Sequence, residues 1–556
     1  MKKLKKLFAV MLSLIMVLAM GITSFAADNV IGNSDDTAEI KVEGIDSAAS
    51  VTAYPIIKTT YGTNGDFNGY EPLYTTDPAI QVTKKADDTL EYTLSADQIA
   101  QIRAGLNADG AVTMNPEAEG STTYTATAPL GAYLVVVEGS ETSTYNAMVV
   151  STNYKNVNGK NTIDTDKNTA TAKKSTKPSL DKNIKNADNT TTKHNTVNIG
   201  DVINYEVTVD NIPEYTGKYP VFNVVDTLSQ GLTFNGEDVT VTVTGNGTTR
   251  TLTKDVDYKF TKEGQTITIN FVDTSLTATG KTGYGYTLND YKGQNMTIAY
   301  SATVNANAKL NEVGNQNDAT LTYSKDSTVN NNNGTDEKKT HSYTFDIDGS
   351  VEGTNSVIPV DVTHILNKIG EEVKKIEVNG EEVEVKAALE GAEFTVYTDE
   401  DCTVRYQQGG KDYPVVRSTT AGQIELKGLA AGTYYVKETK APAGYSVNAT
   451  PVKVEITGLT FNDNDELTGW TIKVNNQAVA SFTYGTNEGG KTKFVRSDSI
   501  TNKGTEFVNG YNILNTKITE LPSTGGIGTT IFTIVGCGIM IAAAGLFFAS
   551  RRKENR

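Results

Sequence analysis

Residues 434–445 read Tyr-Tyr-Val-Lys-Glu-Thr-Lys-Ala-Pro-Ala-Gly-Tyr, a segment that opens with the two-residue period of a β-strand. In a strand, alternate side chains point to the same side of the sheet, so Tyr434, Val436 and Glu438 share one face. If the two apolar residues face a core, the carboxyl group of Glu438 is buried with them. A lone buried carboxylate is strongly destabilising unless it stays protonated or is paired. The segment therefore predicts a core strand whose acid requires a partner.

The same two-residue period recurs along most of the chain. It is clearest at 202–209 (Val-Ile-Asn-Tyr-Glu-Val-Thr-Val), 266–271 and 452–456. Short alternating strands bounded by Gly, Asn and Asp turns are typical of β-sandwiches. Residues 95–106 are the clearest helical segment, with Ser95 as its N-cap. The sequence therefore predicts an all-β protein.

The N-terminus carries a targeting segment. Residues 1–26 combine a basic start, an apolar stretch at 7–19 and a small-x-small site at 24–26. This combination predicts a secretory signal peptide, cut after Ala26 or at the next bond. The mature protein is therefore expected to be secreted.

The C-terminus carries a second signal in three parts. A pentapeptide at 521–525 is followed by an uncharged apolar run at about 527–550 and by a basic tail. The run is long enough to span a bilayer as a helix, and the basic tail stays in the cytoplasm. The pentapeptide is therefore expected just outside the membrane. It consists of Leu521, Pro522, Ser523, Thr524 and Gly525.

Composition excludes several classes of function. The formal net charge of −16 argues against nucleic acid as a partner. Cys402 and Cys537 are the only cysteines, and Cys537 lies in the apolar C-terminal run, so no intramolecular disulfide is expected in the mature protein. With three histidines in the chain, a His/Cys metal site is not expected either, and no cofactor is implied.

Polar, turn-rich stretches divide the chain between its terminal signals into three predicted modules. The first is expected at 27–177, the middle at 178–356 and the third at 357–520, followed by the sorting segment 521–556. Residues 156–177 are polar and are expected to form an exposed linker or an edge strand. The Asn-rich run 330–334 is expected to be a loop.

Three segments of the third module carry a family resemblance. Residues 434–445 closely resemble the E-box of Gram-positive pilins and CNA-B-type domains. Residues 388–397 (Ala-Leu-Glu-Gly-Ala-Glu-Phe-Thr-Val-Tyr) and 513–517 (Ile-Leu-Asn-Thr-Lys) resemble an earlier strand and the closing strand of the same domains. The C-terminus resembles a cell-wall sorting signal. The chain thus resembles a sortase-assembled major (backbone) pilin of the SpaA type, which implies tandem immunoglobulin-like, CNA-B-type β-sandwich domains.

The resemblance implies an intramolecular isopeptide bond in the third module. In the family, a buried neutral lysine on the first strand attacks an asparagine side-chain amide on the last strand. A protonated acid hydrogen-bonds the amide oxygen, and ammonia leaves. The expected nucleophile is Lys368, its partner is Asn515 and the acid is Glu438. The alternative is a surface lysine beside a solvated strand-end glutamate.

The middle module shows the same pattern with other residues. Residues 224–232 and 314–324 resemble the acid-bearing and closing strands of backbone-pilin middle domains. The resemblance suggests Lys182 bonded to Asn317, with Asp226 as the acid. Alternation leaves Asn315 as an alternative, because it lies on the same strand face as Asn317. A solvated lysine and a turn aspartate are the other interpretation.

The first module offers no comparable set, because Lys41 alternates with apolar neighbours and is expected to face solvent. In the family, the end of the first domain supplies an acceptor lysine within a Tyr-Pro-Lys-Asn motif. The corresponding segment here, 171–174, departs from that motif at three of its four positions. Lys173 is the expected acceptor, with Lys174 as the alternative. A solvated basic linker explains the same residues.

The resemblance implies a structural function. A sortase would cut between Thr524 and Gly525 and join Thr524 to the next subunit, building a covalent, wall-anchored pilus that supports adhesion. Implied partners are pilus-specific and housekeeping sortases, identical subunits, ancillary pilins, peptidoglycan and a host surface ligand. The alternative is a monomeric peptidoglycan-anchored adhesin. An enzyme is not expected, because the chain lacks a nucleophile elbow and an HExxH motif.

Overall fold

The computed structural model describes residues 32–46, 50–311, 314–348, 364–378, 381–486, 492–498, 510–518 and 528–554. The predicted signal peptide and the pentapeptide 521–525 lie outside these described residues. Strands form most of the regular structure within them, which confirms the predicted all-β class.

The first module is built on a nine-stranded sheet in the order β11-β10-β8-β2-β6-β7-β1-β12, with β3 paired to β2. The α-helix α1 (Ala96–Ala104) begins after Ser95, whose hydroxyl accepts from the Gln98 backbone while the Gln98 side chain accepts from the Ser95 backbone. This capping box confirms the predicted N-cap. The strands are β1 (Thr37–Glu43), β2 (Ser50–Tyr61), β3 (Phe67–Pro72), β4 (Val82–Lys84), β5 (Leu90–Tyr92), β6 (Val112–Pro116), β7 (Tyr124–Pro129), β8 (Gly131–Glu138), β9 (Ser143–Tyr145), β10 (Met148–Val157), β11 (Lys160–Asp164), β12 (Thr169–Thr171) and β13 (Lys174–Thr176).

The polar segment 156–177 is largely paired. β11 forms one edge of the large sheet, and β12 forms the other by pairing in parallel with β1. β13 pairs with β9. The edge-strand alternative is therefore confirmed and the free linker is wrong, because backbone pairing needs no apolar side chains.

The middle module packs two sheets against one core. One sheet has the order β15-β14-β17-β24-β20-β21, with β19 paired to β24, and the other has β16-β26-β25-β18-β23-β22. The core between them takes its residues from both sheets, for example Val207 from β17 and Leu321 from β25. The strands are β14 (Ser179–Lys185), β15 (Thr191–Thr192), β16 (His194–Thr196), β17 (Val202–Asp210), β18 (Phe222–Leu228), β19 (Leu232–Phe234), β20 (Thr240–Gly245), β21 (Thr248–Thr251), β22 (Lys259–Glu263), β23 (Thr266–Asn270), β24 (Asn295–Val304), β25 (Asn315–Ser324) and β26 (Asn333–Tyr343).

Two features of the middle module depart from the sequence predictions. The Asn-rich run is a turn only as far as residue 332, since β26 begins at Asn333. β26 then pairs along the whole of β25, so β25 is not the closing strand of this sandwich. β26 is strongly polar at its start, which hides it from a search for alternating apolar residues.

The third module is also a two-sheet sandwich. A three-stranded sheet, β29-β28-β40, faces a seven-stranded sheet, β33-β30-β35-β36-β37-β38-β39. Its core begins with Tyr343, Phe345 and Ile347, which precede the predicted boundary at 356. The strands are β27 (Phe345–Asp346), β28 (Leu366–Val378), β29 (Glu381–Ala388), β30 (Glu393–Tyr397), β31 (Gln407–Gln408), β32 (Lys411–Asp412), β33 (Val416–Arg417), β34 (Lys427–Leu429), β35 (Gly432–Lys440), β36 (Val452–Phe461), β37 (Leu467–Val474), β38 (Gln477–Thr486), β39 (Thr492–Asp498) and β40 (Tyr511–Leu514).

Another α-helix, α2 (Gly528–Glu554), lies at the C-terminal end of the described residues. Within it, the segment Phe532–Arg551 is long and apolar enough to cross a membrane by length and composition. The position agrees with the predicted span at about 527–550.

Candidate functional site

Two lysines are fully buried, whereas every other lysine side chain that the structure describes is at least partly exposed. They are Lys182 on β14 and Lys368 on β28, each with 0% of its side-chain surface accessible. A buried ammonium group is strongly destabilising unless an acid pairs with it or the group loses its proton. Each of these lysines contacts a buried acid, which makes the two places candidate reactive sites.

The third-module site is assembled from three strands. β28 and β40 run in parallel as neighbours, with Lys368 opposite Ile513, so Asn515 just beyond β40 lies beside the lysine. On β35, Tyr434, Val436 and Glu438 are buried on one face, as the alternation predicted. Glu438 therefore reaches the lysine and the asparagine from the opposite sheet.

The contacts within this site join all three predicted residues. Lys368 Nζ donates a hydrogen bond to Asn515 Oδ1 and lies 3.2 Å from Glu438 Oε2. Asn515 Nδ2 donates to Glu438 Oε1 at 2.8 Å. The backbone N–H of Asn448, which the sequence did not indicate, donates to Glu438 Oε2 at 2.8 Å and helps fix the carboxyl group.

The orientation of the Asn515 amide differs from the expected one. The resemblance implies a hydrogen bond from the acid to the amide oxygen, whereas the structure places the amide nitrogen against Glu438. The amide nitrogen is the atom that must leave as ammonia and must gain a proton to do so. Glu438 is therefore placed to supply a proton to the leaving group.

Burial lowers the pKa of Lys368 below its ordinary value, while the charge of Glu438 works in the opposite direction. A lowered pKa increases the fraction of neutral amine, which is the nucleophilic form. The site thus combines a deprotonation-prone lysine, an adjacent amide and an acid, with water excluded.

The middle-module site joins the two sheets of its sandwich. Lys182 lies on β14, while Asp226 on β18 and Asn317 on β25 come from the facing sheet, and all three are buried. Lys182 Nζ donates a hydrogen bond to Asp226 Oδ2. Burial lowers the pKa of Lys182, although the neighbouring Asp226 raises it in part. The lysine and the acid are therefore brought together as predicted.

A fourth residue, Tyr300 on β24, completes the middle-module site. Its hydroxyl accepts from Lys182 Nζ at 2.7 Å and from Asn317 Nδ2 at 2.8 Å, and it donates to Asp226 Oδ2 at 2.6 Å. Tyr205, its cross-strand neighbour on β17, stacks on it with ring centroids 5.2 Å apart. The alternation of β24 could have placed Tyr300 on the buried face, but nothing in the sequence marked its hydroxyl as different from any core tyrosine.

Asn315 and Asn317 differ in their hydrogen-bond partners. Asn315 is also buried, but its amide bonds to the backbone of Lys309 and to Ser342 O. Asn317 alone of the two reaches the hydroxyl that Lys182 contacts. The geometry therefore favours Asn317 as the partner of Lys182.

The first module contributes two surface lysines near its end. Lys173 is exposed, and its backbone oxygen accepts from Asn146. Lys174 Nζ lies 3.2 Å from Asp46 Oδ1, and its backbone pairs with Tyr145 on β9. Lys41 faces solvent beside Glu39 and Glu117, as expected.

Similarity to known proteins agrees with this arrangement. Residues 199–327 match the model of the Gram-positive pilin backbone subunit 2, a Cna-B-like domain. Residues 374–463 match the SpaA prealbumin-like fold domain, and residues 514–556 match the LPXTG cell wall anchor motif.

A relative and two solved structures extend the similarity over most of the chain. The trypsin-resistant surface T6 protein of Streptococcus pyogenes serotype M6 is 26% identical, with 98% of this chain and 99% of that protein covered. The solved T6 backbone pilin of that serotype, described as a modular three-domain structure, is 21% identical, with a TM-score of 0.50 over 87% of this chain and 99% of that one. The major pilin SpaD from Corynebacterium diphtheriae is 16% identical, with a TM-score of 0.43 over 88% and 99%. The chain therefore carries a Gram-positive pilin backbone domain, a SpaA prealbumin-like domain and an LPXTG cell wall anchor motif.

Proposed function

We propose that the chain is the repeating subunit of a covalent pilus, joined head to tail by sortase and stabilised by two internal lysine–asparagine isopeptide bonds. The observation that carries the proposal is the third-module site, where a fully buried lysine, an asparagine and an acid lie within hydrogen-bonding distance. Burial of an amine beside an amide has no evident structural benefit unless the two react. The domain bounds and the sortase signal are consistent with this function.

In the third module, the neutral Nζ of Lys368 attacks Cγ of Asn515 and forms the new C–N bond. Glu438 takes a proton from Nζ and gives one to Nδ2, so that the Cγ–Nδ2 bond breaks and ammonia leaves with the bonding pair. The acid returns to its starting state, and the product is an amide between the two side chains. No cofactor takes part in the reaction.

In the middle module, the same exchange would join Lys182 to Asn317. Asp226 Oδ2 accepts from Lys182 Nζ and from the Tyr300 hydroxyl. Asp226 therefore holds the lysine beside the amide that it would attack.

Each bond would stabilise its module by closing a long loop. Lys368 and Asn515 are separated by 147 positions, and Lys182 and Asn317 enclose a loop of similar length. A chain-entropy estimate for cross-links of this span gives about 5 kcal/mol for each bond. This gain is comparable with the whole stability of an ordinary domain.

The measured mass of the mature protein is expected to be lower than the mass calculated from the mature sequence by two ammonia molecules, because each bond releases one. Intact mass spectrometry measures the deficit, and peptide mapping locates the pairs Lys182–Asn317 and Lys368–Asn515. The variant Lys41→Met, which alters a surface lysine, should show the same deficit. A mass equal to that of the unmodified sequence would reject both bonds.

The geometry favours Lys173 over Lys174 as the acceptor of the Thr524 acyl group. An acceptor amine must extend into the sortase active site, so a side chain free of strong contacts is better suited. Lys174 is held by Asp46, whose other oxygen accepts from Thr142 at 2.8 Å. Lys173 is exposed and makes no ion pair with any of the residues that the structure describes.

Lys173→Arg is expected to abolish the high-mass ladder of surface polymers, because arginine keeps the charge but its guanidinium is not a usable nucleophile. Lys174→Arg is the matched control and should leave the ladder intact. Immunoblots of cell-wall extracts measure both, and a Thr524–Lys173 linked peptide would identify the junction. If only Lys174→Arg lost the ladder, Lys174 would be the acceptor instead of Lys173. If the wild type gave only wall-linked monomer and no ladder, the monomeric adhesin would be favoured.

A further inference from the structure

A single hydroxyl group connects the three predicted reactants of the middle module. Tyr300 OH lies within 2.8 Å of Lys182 Nζ, Asn317 Nδ2 and Asp226 Oδ2, so it touches both nitrogen atoms that the reaction exchanges. Among the described contacts, no hydrogen bond joins Asp226 to Asn317 directly. The path from the acid to the leaving group therefore passes through the tyrosine.

The third module makes the same connection without a hydroxyl. There, Asn515 Nδ2 donates directly to Glu438 Oε1 at 2.8 Å. Aspartate is one methylene group shorter than glutamate, and in the middle module the Tyr300 hydroxyl occupies the position between acid and amide. The two sites thus reach the leaving nitrogen by different means: a longer acid in one, and a shorter acid with a tyrosine in the other.

We propose that Tyr300 is a catalytic residue for the middle-module isopeptide bond and relays a proton from Lys182 Nζ to Asn317 Nδ2. The inference rests on the isopeptide bond proposed above. It assigns to the middle site a fourth reacting group that the third site does not require.

The step balances without any further reactant. Lys182 Nζ bonds to Asn317 Cγ, and the carbonyl electron pair moves to Oδ1. Nζ then passes a proton to the tyrosine oxygen while the hydroxyl gives its own proton to Nδ2. The carbonyl re-forms, the Cγ–Nδ2 bond breaks, and ammonia leaves with the bonding pair. Tyr300 and Asp226 finish in the protonation states in which they began.

The electrostatics of the site keep the hydroxyl in the form that a relay needs. Burial, together with the negative charge of Asp226, raises the pKa of Tyr300 far above its ordinary value. The tyrosine therefore stays protonated at neutral pH, and it can release one proton only while it receives another.

Tyr300→Phe tests the relay in the full mature chain. The variant is expected to form the middle-module bond about 100-fold more slowly, or not at all, because a positioned proton-transfer group typically contributes at least that factor. The time course of ammonia loss after synthesis, read by intact mass and assigned by peptide mapping, gives the rate. Tyr323→Phe is the matched control, because Tyr323 is a core tyrosine of the same module and makes no hydrogen bond to Lys182, Asn317 or Asp226 among the described contacts. Its rate should equal that of the wild type.

The double variant Asp226→Glu/Tyr300→Phe separates a relay from a packing role. The longer acid extends into the space that the lost hydroxyl leaves, and it should restore the bond by contacting Asn317 as Glu438 contacts Asn515. The relay would be overturned if Tyr300→Phe formed the middle-module bond at the wild-type rate. It would also be overturned if Tyr300→Phe lost the bond and the double variant did not restore it. A wild-type chain that never forms the middle bond would instead reject the proposed bond itself, whatever Tyr300 does.

Discussion

Replacing Glu438 by glutamine is expected to halve the ammonia deficit of the mature chain relative to its own sequence, with the third-module bond missing and the middle-module bond intact. Glutamine has nearly the shape of the acid, but it cannot take a proton from Lys368 and return one to Asn515. The amide would still be aligned, so the loss would report on chemistry rather than on folding. Intact mass and peptide mapping give the result directly.

The same variant should lower the free energy of unfolding of the third module by about 5 kcal/mol, the estimated contribution of its cross-link. Chemical denaturation followed at Trp470, the only tryptophan and a buried residue of this core, measures the change. Glu393→Gln on the neighbouring strand β30 is the matched control, because Glu393 pairs only with Arg417 and Lys440 among the described charged groups. If Glu438→Gln kept the ammonia deficit, Glu438 could not be the proton-transfer group.

Asp226→Ala is expected to lose the middle-module bond and to destabilise that module more than Lys182→Met does. Both variants remove the cross-link, which contributes about 5 kcal/mol. Asp226→Ala also leaves a buried lysine without its acid, and breaking a buried pair in this way costs about 3 kcal/mol or more. Lys182→Met removes the charge and fills a similar volume with apolar atoms.

Thermal and chemical unfolding of the two variants measure the difference, and their masses confirm whether the bond is absent. Asp336→Ala is a suitable control, because Asp336 is a partly exposed residue of β26 that contacts Leu180 N rather than Lys182. Equal stability of Asp226→Ala and Lys182→Met would show that Lys182 does not depend on Asp226. A retained ammonia deficit in Asp226→Ala would remove the aspartate from the reaction.

The sequence predicted the third-module site well, for a physical reason. Alternation on β35 placed Glu438 with Tyr434 and Val436, and a buried acid implies a buried partner. The resemblance then supplied Lys368 and Asn515, which the parallel pairing of β28 and β40 places side by side.

Other features depend on contacts that no local pattern contains. Alternation predicts which side of the sheet a residue faces, but not which residues of the facing strands it contacts. Asn315 and Asn317 therefore could not be distinguished until their hydrogen-bond partners were known. Tyr300 could not be singled out, because its three partners lie on strands that are adjacent only in the fold. The pairing of β12 with β1 was likewise hidden, since a parallel pair joins segments that are far apart in the chain.

The confinement of buried lysines to the middle and third modules has a mechanical consequence. In a polymer joined through Lys173 and Thr524, a pulling force enters each subunit at residue 173 and leaves it at residue 524. With both internal bonds formed, the force passes only through residues 173–182, 317–368 and 515–524. The first module would then lie outside the part of the chain that transmits the force, and it would bear no tension. It could therefore vary in sequence and stability without weakening the fibre, whereas the middle and third modules could lengthen only through the residues outside their two closed loops.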